Sequence, residues 1–181
     1  MKKPILYCDC DGVIFNTIDV AFDIMRNMGC DMHDRNQIDY YFREIIDWYE
    51  VFDKATIIND SIDKIKLLRE KDIFLDIIIL TKLSGNKHEE GLKREVFKSY
   101  LPDTKVITLP YKSQKTSVVS TPEDHILIDD EKRNCVNWQE HDGTAILFSQ
   151  IYNDLDNDIV SDLMDVSNTH GYKKLIKARY F

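Results

Sequence analysis

The stretch Leu6-Tyr7-Cys8-Asp9-Cys10-Asp11-Gly12-Val13 runs from an apolar segment straight into two carboxylates one residue apart. Opened by Pro4, the run Ile5, Leu6 and Tyr7 is what a strand covered on both faces requires. In an open parallel sheet, ligands bind beyond the carboxyl ends of the strands, which is where Asp9 and Asp11 would fall. Two such carboxylates repel each other unless a cation lies between them. Gly12 permits a sharp turn and a close backbone approach. An EF-hand loop also begins Asp-x-Asp, but the preceding helix, the further oxygen ligands and the terminal Glu it needs are missing. A metal-binding turn without chemistry fits these residues too, as does a plain surface turn, although acidic turn residues rarely follow so apolar a strand.

Further along the chain, short apolar runs alternate with helical patterns, the signature of an α/β fold with a parallel sheet. Strands are predicted at Ile73 to Leu80, Lys105 to Leu109, His125 to Ile128 and Thr144 to Phe148. Asp60 or Ser61 is placed to cap a helix with Ile62, Ile65 and Leu68 on its apolar side. From about Asn86 to Tyr100, Leu92, Val96 and Tyr100 form a stripe that Pro102 ends, and Glu131 to His141 reads as a short helix closed by Gly143. The stretch from Ile18 to Phe52 breaks the rhythm. Ile18, Ala21, Phe22, Met25 and Met28 follow the helical period up to Gly29, a plausible C-cap. Asp34 then precedes a second pattern through Ile38, Tyr41, Phe42, Ile45 and Tyr49. Two helices without a strand between them predict a small helical cap over the sheet's carboxyl edge. The expected organisation is a core of 1–16 and 59–150, a cap of 17–58, and a tail of 151–181. In the tail, Asp-rich Asn153 to Asp165 and the basic Lys173, Lys174, Lys177 and Arg179 predict a terminal helix pair with solvated charged faces.

The chain has 181 residues, 43% of them hydrophobic and 31% charged, enough to bury a real core in one domain. No apolar run approaches the roughly 20 residues that span a bilayer. The N-terminal apolar segment runs into Asp9 and Asp11 without a cleavage site, so a cytoplasmic protein is expected. A net charge of −8 argues against a general nucleic-acid binder. The four cysteines, Cys8, Cys10, Cys30 and Cys135, are too few and scattered for a disulfide framework and lack partners at zinc-ligand spacing. Reduced, packed thiols are expected.

Three further features carry chemistry. Thr81, at the end of the second strand and followed by Lys82, offers a hydroxyl and backbone N–H groups to a phosphoryl oxygen, or simply makes a turn. Lys115, with Thr116 and Ser117, opens a predicted helix and would act as a point charge on a phosphoryl group, with Lys112 as a competitor. The fourth strand ends Ile126-Leu127-Ile128-Asp129-Asp130, then Glu131. Hard oxygen ligands at two neighbouring strand ends are what Mg2+ needs. A helix cap is the plainer role for Asp130 or Glu131, and a poorer one for Asp129.

The order Asp-x-Asp, Thr, Lys, Asp-Asp resembles the haloacid dehalogenase (HAD) superfamily of phosphotransferases and phosphatases in its four signature motifs, from Ile5 to about Phe148. A response-regulator receiver domain combines similar residues in the reverse order. The resemblance implies a Rossmann-like parallel sheet flanked by helices, with the cap inserted after the first strand. It implies Asp9 as nucleophile, Asp11 as general acid–base, Thr81 as phosphoryl-binding group and Lys115 as the tie to Asp9. It implies Mg2+ as cofactor, with Asp9, Asp11, Asp129 and Asp130 as its acidic set. Within the superfamily the pattern is most similar to the 5′(3′)-deoxyribonucleotidase-like group, on Asp9-Cys10-Asp11-Gly12-Val13, the short cap, Lys115-Thr116, Leu127-Ile128-Asp129-Asp130, Asn134 and Trp138. That implies a 5′-nucleotidase acting on nucleoside monophosphates. The same chemistry on a sugar phosphate, another small metabolite or a polynucleotide end stays open. So does a phosphate- or Mg2+-binding regulatory protein without turnover, against which the presence of both Asp9 and Asp11 counts. Members of the group tend to carry an aromatic where Asn16-Thr17 stand here. Among the cap aromatics Tyr40, Tyr41, Phe42, Trp48, Tyr49 and Phe52, the predicted buried stripe takes Tyr41, Phe42 and Tyr49 and leaves Tyr40 and Trp48 for a base.

Overall fold

The computed structural model describes residues 3–180, with side chains through residue 178, so Met1, Lys2 and the side chain of Arg179 lie outside the described residues. Six parallel strands form one sheet: β1 (Ile5–Cys8), β2 (Asp76–Leu83), β3 (Val106–Pro110), β4 (Ile126–Asp129), β5 (Thr144–Phe148) and β6 (Ile159–Val160). Their order is β3-β2-β1-β4-β5-β6, a Rossmann-like arrangement that reverses direction at the central β1. β1 pairs on one side with β2, Tyr7 opposite Ile78, and on the other with β4, Tyr7 opposite Leu127.

Alternation along each strand sends side chains to two separate cores. Leu6, Cys8, Ile77, Ile79, Ile126 and Ile128 face one, which is closed by helix α4 (Ser61–Glu70) and by Phe97 and Leu101 at the end of helix α5 (Glu89–Tyr100). Tyr7, Ile78, Leu80 and Leu127 face the other, under Cys135 and Trp138 of helix α6 (Lys132–Gln139). Both faces of β1 are therefore dry, as its unbroken apolar run requires.

Between β1 and α4 lie helices α1 (Thr17–Asn27), α2 (Arg35–Tyr40) and α3 (Trp48–Lys54), with a π-helical turn at Tyr41–Ile45 after α2. They share a third apolar cluster that includes Ala21, Met25, Ile46, Trp48, Val51 and Leu92. Asp34 caps α2, accepting from the amides of Asn36 and Gln37, and Asp47 caps α3, accepting from Tyr49. The second helical pattern of this segment is thus two helices. The π turn and the extended Ile46 rotate the register, which buries Trp48 (2% exposed) and leaves Tyr49 exposed (52%), opposite to the predicted stripe. Both ends of the segment meet. Asn16 N–H donates to Thr56 O (3.2 Å), Thr56 N–H to Asn16 Oδ1 (2.6 Å), and Ile58 N–H to Ile14 O (2.9 Å).

Other expectations need correction. Neither Asp60 nor Ser61 caps α4: Asn59 and Asp60 are left-handed (φ 45° and 53°), and the Ser61 hydroxyl donates to Ile14 O instead. The second strand is shifted by three residues to Asp76–Leu83, because the chain bends at Phe74 and Leu75 before pairing begins and the ladder with β3 continues through Lys82 and Leu83. On α5 the buried positions are Glu89, Leu92, Lys93 and Phe97, while Tyr100 is exposed. The inward face of this helix carries an ion pair that apolar periodicity passes over. The tail is not a helix pair. It supplies the short β6, two 3-10 turns and one helix, α7 (His170–Tyr180). The Asp residues there are turn formers: Asp154 caps the turn at Leu155–Asn157, and Asp162 caps that at Leu163–Asn168. All four cysteines are free and buried, and no helix among the described residues is long and apolar enough to cross a membrane.

Phe97 is fully buried and packs edge-on against Phe15, with ring centroids 5.8 Å apart. Phe97→Ala is expected to cost about 3–5 kcal/mol in urea denaturation; a loss below about 1 kcal/mol would contradict this packing.

Candidate active site

Three chain segments converge at the carboxyl edge of the sheet. The first is the loop after β1, where the amides of Ile14 and Phe15 both donate to Cys10 O (2.9 and 3.0 Å) and Gly12 N–H donates to Phe15 O (2.8 Å). This tight loop gives Gly12 a φ of +76°, and a Cβ there would collide with the carboxylate of Asp130. Glycine thus serves two needs at once: the left-handed turn and the close approach of the β4 loop.

Within this loop the two carboxylates diverge. Asp9 Oδ1 accepts from its neighbour Cys10 N–H (2.7 Å), while Oδ2 lies 2.8 Å from Lys115 Nζ. Lys115, fully buried in the turn at Lys115–Val118, also contacts Asp129 Oδ2 at 2.6 Å. Asp129 ends β4 and is itself fixed by Glu131 N–H (2.9 Å) and by Asn134 Nδ2, which lies 3.0 Å from each carboxylate oxygen. Asp11 turns the other way. Its Oδ1 accepts from Thr17 (2.6 Å), and its Oδ2 accepts from Thr81 (3.3 Å) and from Lys93 Nζ (2.5 Å).

Lys93 is fully buried on α5. Its ammonium reaches Asp11, Glu89 Oε1 (2.9 Å), Thr81 Oγ1 (3.1 Å) and Lys82 O (2.9 Å), and sits 5.6 Å from the ring centre of Trp48. Sequence reasoning missed it. A Glu and a Lys four apart on a helix usually form a solvated pair, and only the position of α5 against the sheet shows that this one is dry. Thr17 was missed for a similar reason, since a threonine at a helix start reads as a local cap. Thr81 lies two residues before the end of β2 rather than at the strand end expected, because the ladder with β3 continues through Lys82 and Leu83, and its hydroxyl is engaged with Asp11 and Lys93. Lys112, the alternative to Lys115, is exposed and takes no part in the carboxylate cluster.

These contacts set the electrostatics. Burial pushes the Asp9 carboxyl up to about 7, with Asp129 and Asp11 adding to the rise and Lys115 opposing it. Asp130 is pushed up to about 8 by desolvation and by the charges of Asp9, Asp129 and Asp11. Burial would raise Asp11 too, but Lys93 and the hydrogen bonds from Lys93, Thr17 and Thr81 outweigh it and hold this carboxyl below its usual value. Burial disfavours the charged forms of Lys93 and Lys115, yet their carboxylate partners keep both ammonium groups charged. Cys8 is pushed up to about 12 and Cys10 well above its usual value, chiefly by burial, so both are inert thiols beside the site.

Asp9, Asp129 and Asp130 place carboxylate oxygens within 4.8 Å of one another. Three carboxylates against the single ammonium of Lys115 leave two negative charges uncompensated when all are ionised. This donor set, all hard oxygen, fits a divalent cation such as Mg2+. Asp11 is not part of the cluster, because both its oxygens are taken up by Thr17, Thr81 and Lys93.

Above the carboxylates opens a cleft of about 980 Å³. Ile18, Phe22, Ile38, Phe42 and Trp48 of the helical segment supply its apolar wall, and Arg35, Arg43 and Lys87 its basic rim. Tyr40, left free for a base by the sequence pattern, is exposed but outside the cleft, and Trp48 contributes to the wall while stacked 6.1 Å from Phe42.

No family model and no curated protein matches this sequence. Solved structures do resemble it. A predicted phosphatase from Clostridium acetobutylicum superposes with a TM-score of 0.62 at 13% identity, over 98% of this chain and 100% of that one. YfnB from Bacillus subtilis, described as a HAD hydrolase and bound to magnesium, gives 0.61 at 12% identity, over 93% and 98%. A haloacid dehalogenase-like hydrolase from Xanthomonas campestris gives 0.60 at 11% identity, over 99% of each. The fold is therefore that of the HAD hydrolases.

Removing Lys93 would leave Asp11 and Glu89 buried without a counter-charge, a change that typically costs about 3–5 kcal/mol. Lys93→Met is expected to destabilise by that order in chemical denaturation, and adding Glu89→Gln should recover part of the loss. Equal stability of Lys93→Met and the unaltered chain would refute this placement.

Proposed function

We propose that this chain is a Mg2+-dependent phosphomonoesterase of the HAD superfamily. Asp9 accepts the phosphoryl group, and the substrates are small phosphorylated compounds, with (deoxy)nucleoside monophosphates as the leading class. The observation that carries the reading is the arrangement of Asp9 and Asp129 on the two sides of one buried ammonium, Lys115, with Asp130 held against Gly12. A structural ion pair needs one carboxylate. The additional ones, Asp129 fully buried and Asp130 lining the cleft, are costly unless a cation and an anionic ligand complete the charge balance.

In the proposed chemistry, the Asp9 carboxylate attacks phosphorus in line with the departing alkoxide. A bond from an Asp9 oxygen to phosphorus forms as the ester P–O bond breaks, giving an aspartyl phosphate. Water then attacks this intermediate, releasing inorganic phosphate and restoring Asp9. Lys115 holds Asp9 in place and offsets the repulsion between an anionic nucleophile and an anionic ester. Held by Asp9, Asp129 and Asp130, Mg2+ would neutralise the phosphoryl oxygens as a Lewis acid. Asp11 moves the protons, giving one to the alkoxide and taking one from the water. Its contact with Lys93 favours the ionised form, which suits the second half-reaction; protonation for the first works against that contact.

For Thr81 to donate to a phosphoryl oxygen, its buried hydroxyl must first release Asp11. The apolar wall with Phe22 and Phe42 suits a planar base, and Phe22 supplies an aromatic a short way after the Asn16-Thr17 stretch. Stacking on such a ring is worth about 1–3 kcal/mol per base.

A panel of phosphate monoesters assayed with Mg2+ tests the reading. The native chain should release phosphate, whereas Asp9→Asn should lose both turnover and acid-stable phosphoenzyme; a variant as active as the native chain would overturn the assignment. Asn134→Ala, which frees Asp129, is expected to weaken Mg2+ binding by about 10–100-fold in calorimetry.

A further inference from the structure

Beside the carboxylates, a smaller pocket of about 290 Å³ opens off the main cleft. It is lined by Lys82, Lys112 and Arg133, with Ser113, Asn134 and Asn137 among the rest. In a chain with a net charge of −8, no carboxylate lines this pocket among the described residues. The two buried lysines of the reaction centre each hold two carboxylates. Lys82 instead donates to the neutral Asn134 Oδ1 (2.6 Å), and neither it nor Lys112 makes an ion pair among the described residues. Arg133 lies 5.8 Å from the Tyr111 ring centre and pairs with Glu131 (2.7 Å) at the pocket's edge.

Three like charges with one carboxylate, Glu131, paired at the edge leave the pocket net positive, and an anion relieves the remaining repulsion. The surrounding groups narrow its chemistry. Lysine and arginine only donate hydrogen bonds. Asn137 Oδ1 is used by Thr116 Oγ1 (3.0 Å), which leaves its NH2 half to donate. A nucleobase edge presents donors as well as acceptors, whereas a phosphate presents acceptors alone. The pocket is also joined to the reaction centre. Lys82, Tyr111, Lys112 and Asn134 line both cavities, and Asn134 bridges Lys82 to Asp129.

We propose that this pocket takes a second phosphate of the substrate, so that the compounds preferred by this site carry two phosphate groups. This rests on the phosphomonoesterase reading for its reaction, but the pocket's preference is measurable without turnover. The second phosphate comes either from a bisphosphorylated nucleoside or from the phosphodiester backbone next to a polynucleotide end.

Binding to the Asp9→Asn chain in Mg2+ is measured by calorimetry with adenosine 5′-monophosphate, adenosine 3′,5′-bisphosphate and a 5′-phosphorylated dinucleotide. At least one two-phosphate ligand should bind about tenfold or more tightly than the monophosphate, and the tighter of the two identifies the source. In Lys112→Ala/Arg133→Ala, both exposed positions, the ratio of dissociation constants should fall to near one. Equal affinities for one- and two-phosphate ligands, or a ratio untouched by the double substitution, would overturn the proposal. Absence of turnover with every monoester would refute the phosphatase reading and leave this binding result to decide the pocket on its own.

Discussion

Two carboxylates one residue apart at the end of a strand buried on both faces cannot share one environment. Asp9 and Asp11 resolve this by turning in opposite directions, each to its own buried lysine. Lys115 reaches Asp9 from the β3–β4 connection and Lys93 reaches Asp11 from α5, so the loop after β1 is clamped between elements on its two sides. Each lysine takes a second carboxylate, Asp129 or Glu89, and each of those is held in turn. The position of β4, the start of α6 and the inward face of α5 all follow from satisfying these four negative charges. Without the lysines the strand end would have to be solvated, and the sheet's carboxyl edge could not support an enclosed cleft.

The part of this visible in the sequence is the part that interrupts apolar runs. Asp9 and Asp129 each come at the end of a buried strand and Thr81 breaks the apolar run of another, and a polar residue in such a place is conspicuous. Lys115 was readable from its order in the motif set rather than from its surroundings. The parallel sheet was legible because runs such as Ile77-Ile78-Ile79-Leu80 are too short and too β-branched for helices. Lys93 was illegible because burial of a helix face depends on what packs against it, and charge pairs at helical spacing are common on solvated faces. Trp48 and Tyr49 were exchanged for a backbone reason. A π turn and an extended residue between them and Tyr41 reset the angular phase, and no periodicity argument survives an unseen break of register. The tail misled through composition: aspartates that read as a solvated helix face are turn caps, and a two-residue strand has too few residues to show a period.

Charge is partitioned across the cleft in a way that composition hides. The chain is acidic overall, yet Arg35, Arg43, Lys82, Lys87 and Lys112 line the cavities beside its carboxylate cluster, with Asp39, Glu90 and Glu131 among them. An anionic ligand approaching this protein is repelled by its average field and attracted only where these cations line its path. Acidic surfaces of this kind select by place rather than by general affinity.

The helical segment leaves the sheet at Ile14 to Asn16 and returns at Thr56 to Ile58, with its two ends hydrogen-bonded to each other. A segment whose ends coincide imposes no length or direction on the rest of the chain. It can grow, shrink or be replaced without altering the register of a single strand. Lys93 qualifies that independence, since its ammonium lies against Trp48 of the segment as well as against Asp11. A segment grafted in its place would therefore have to carry compatible neighbours for Lys93, Asp11, Ser84 and Leu92.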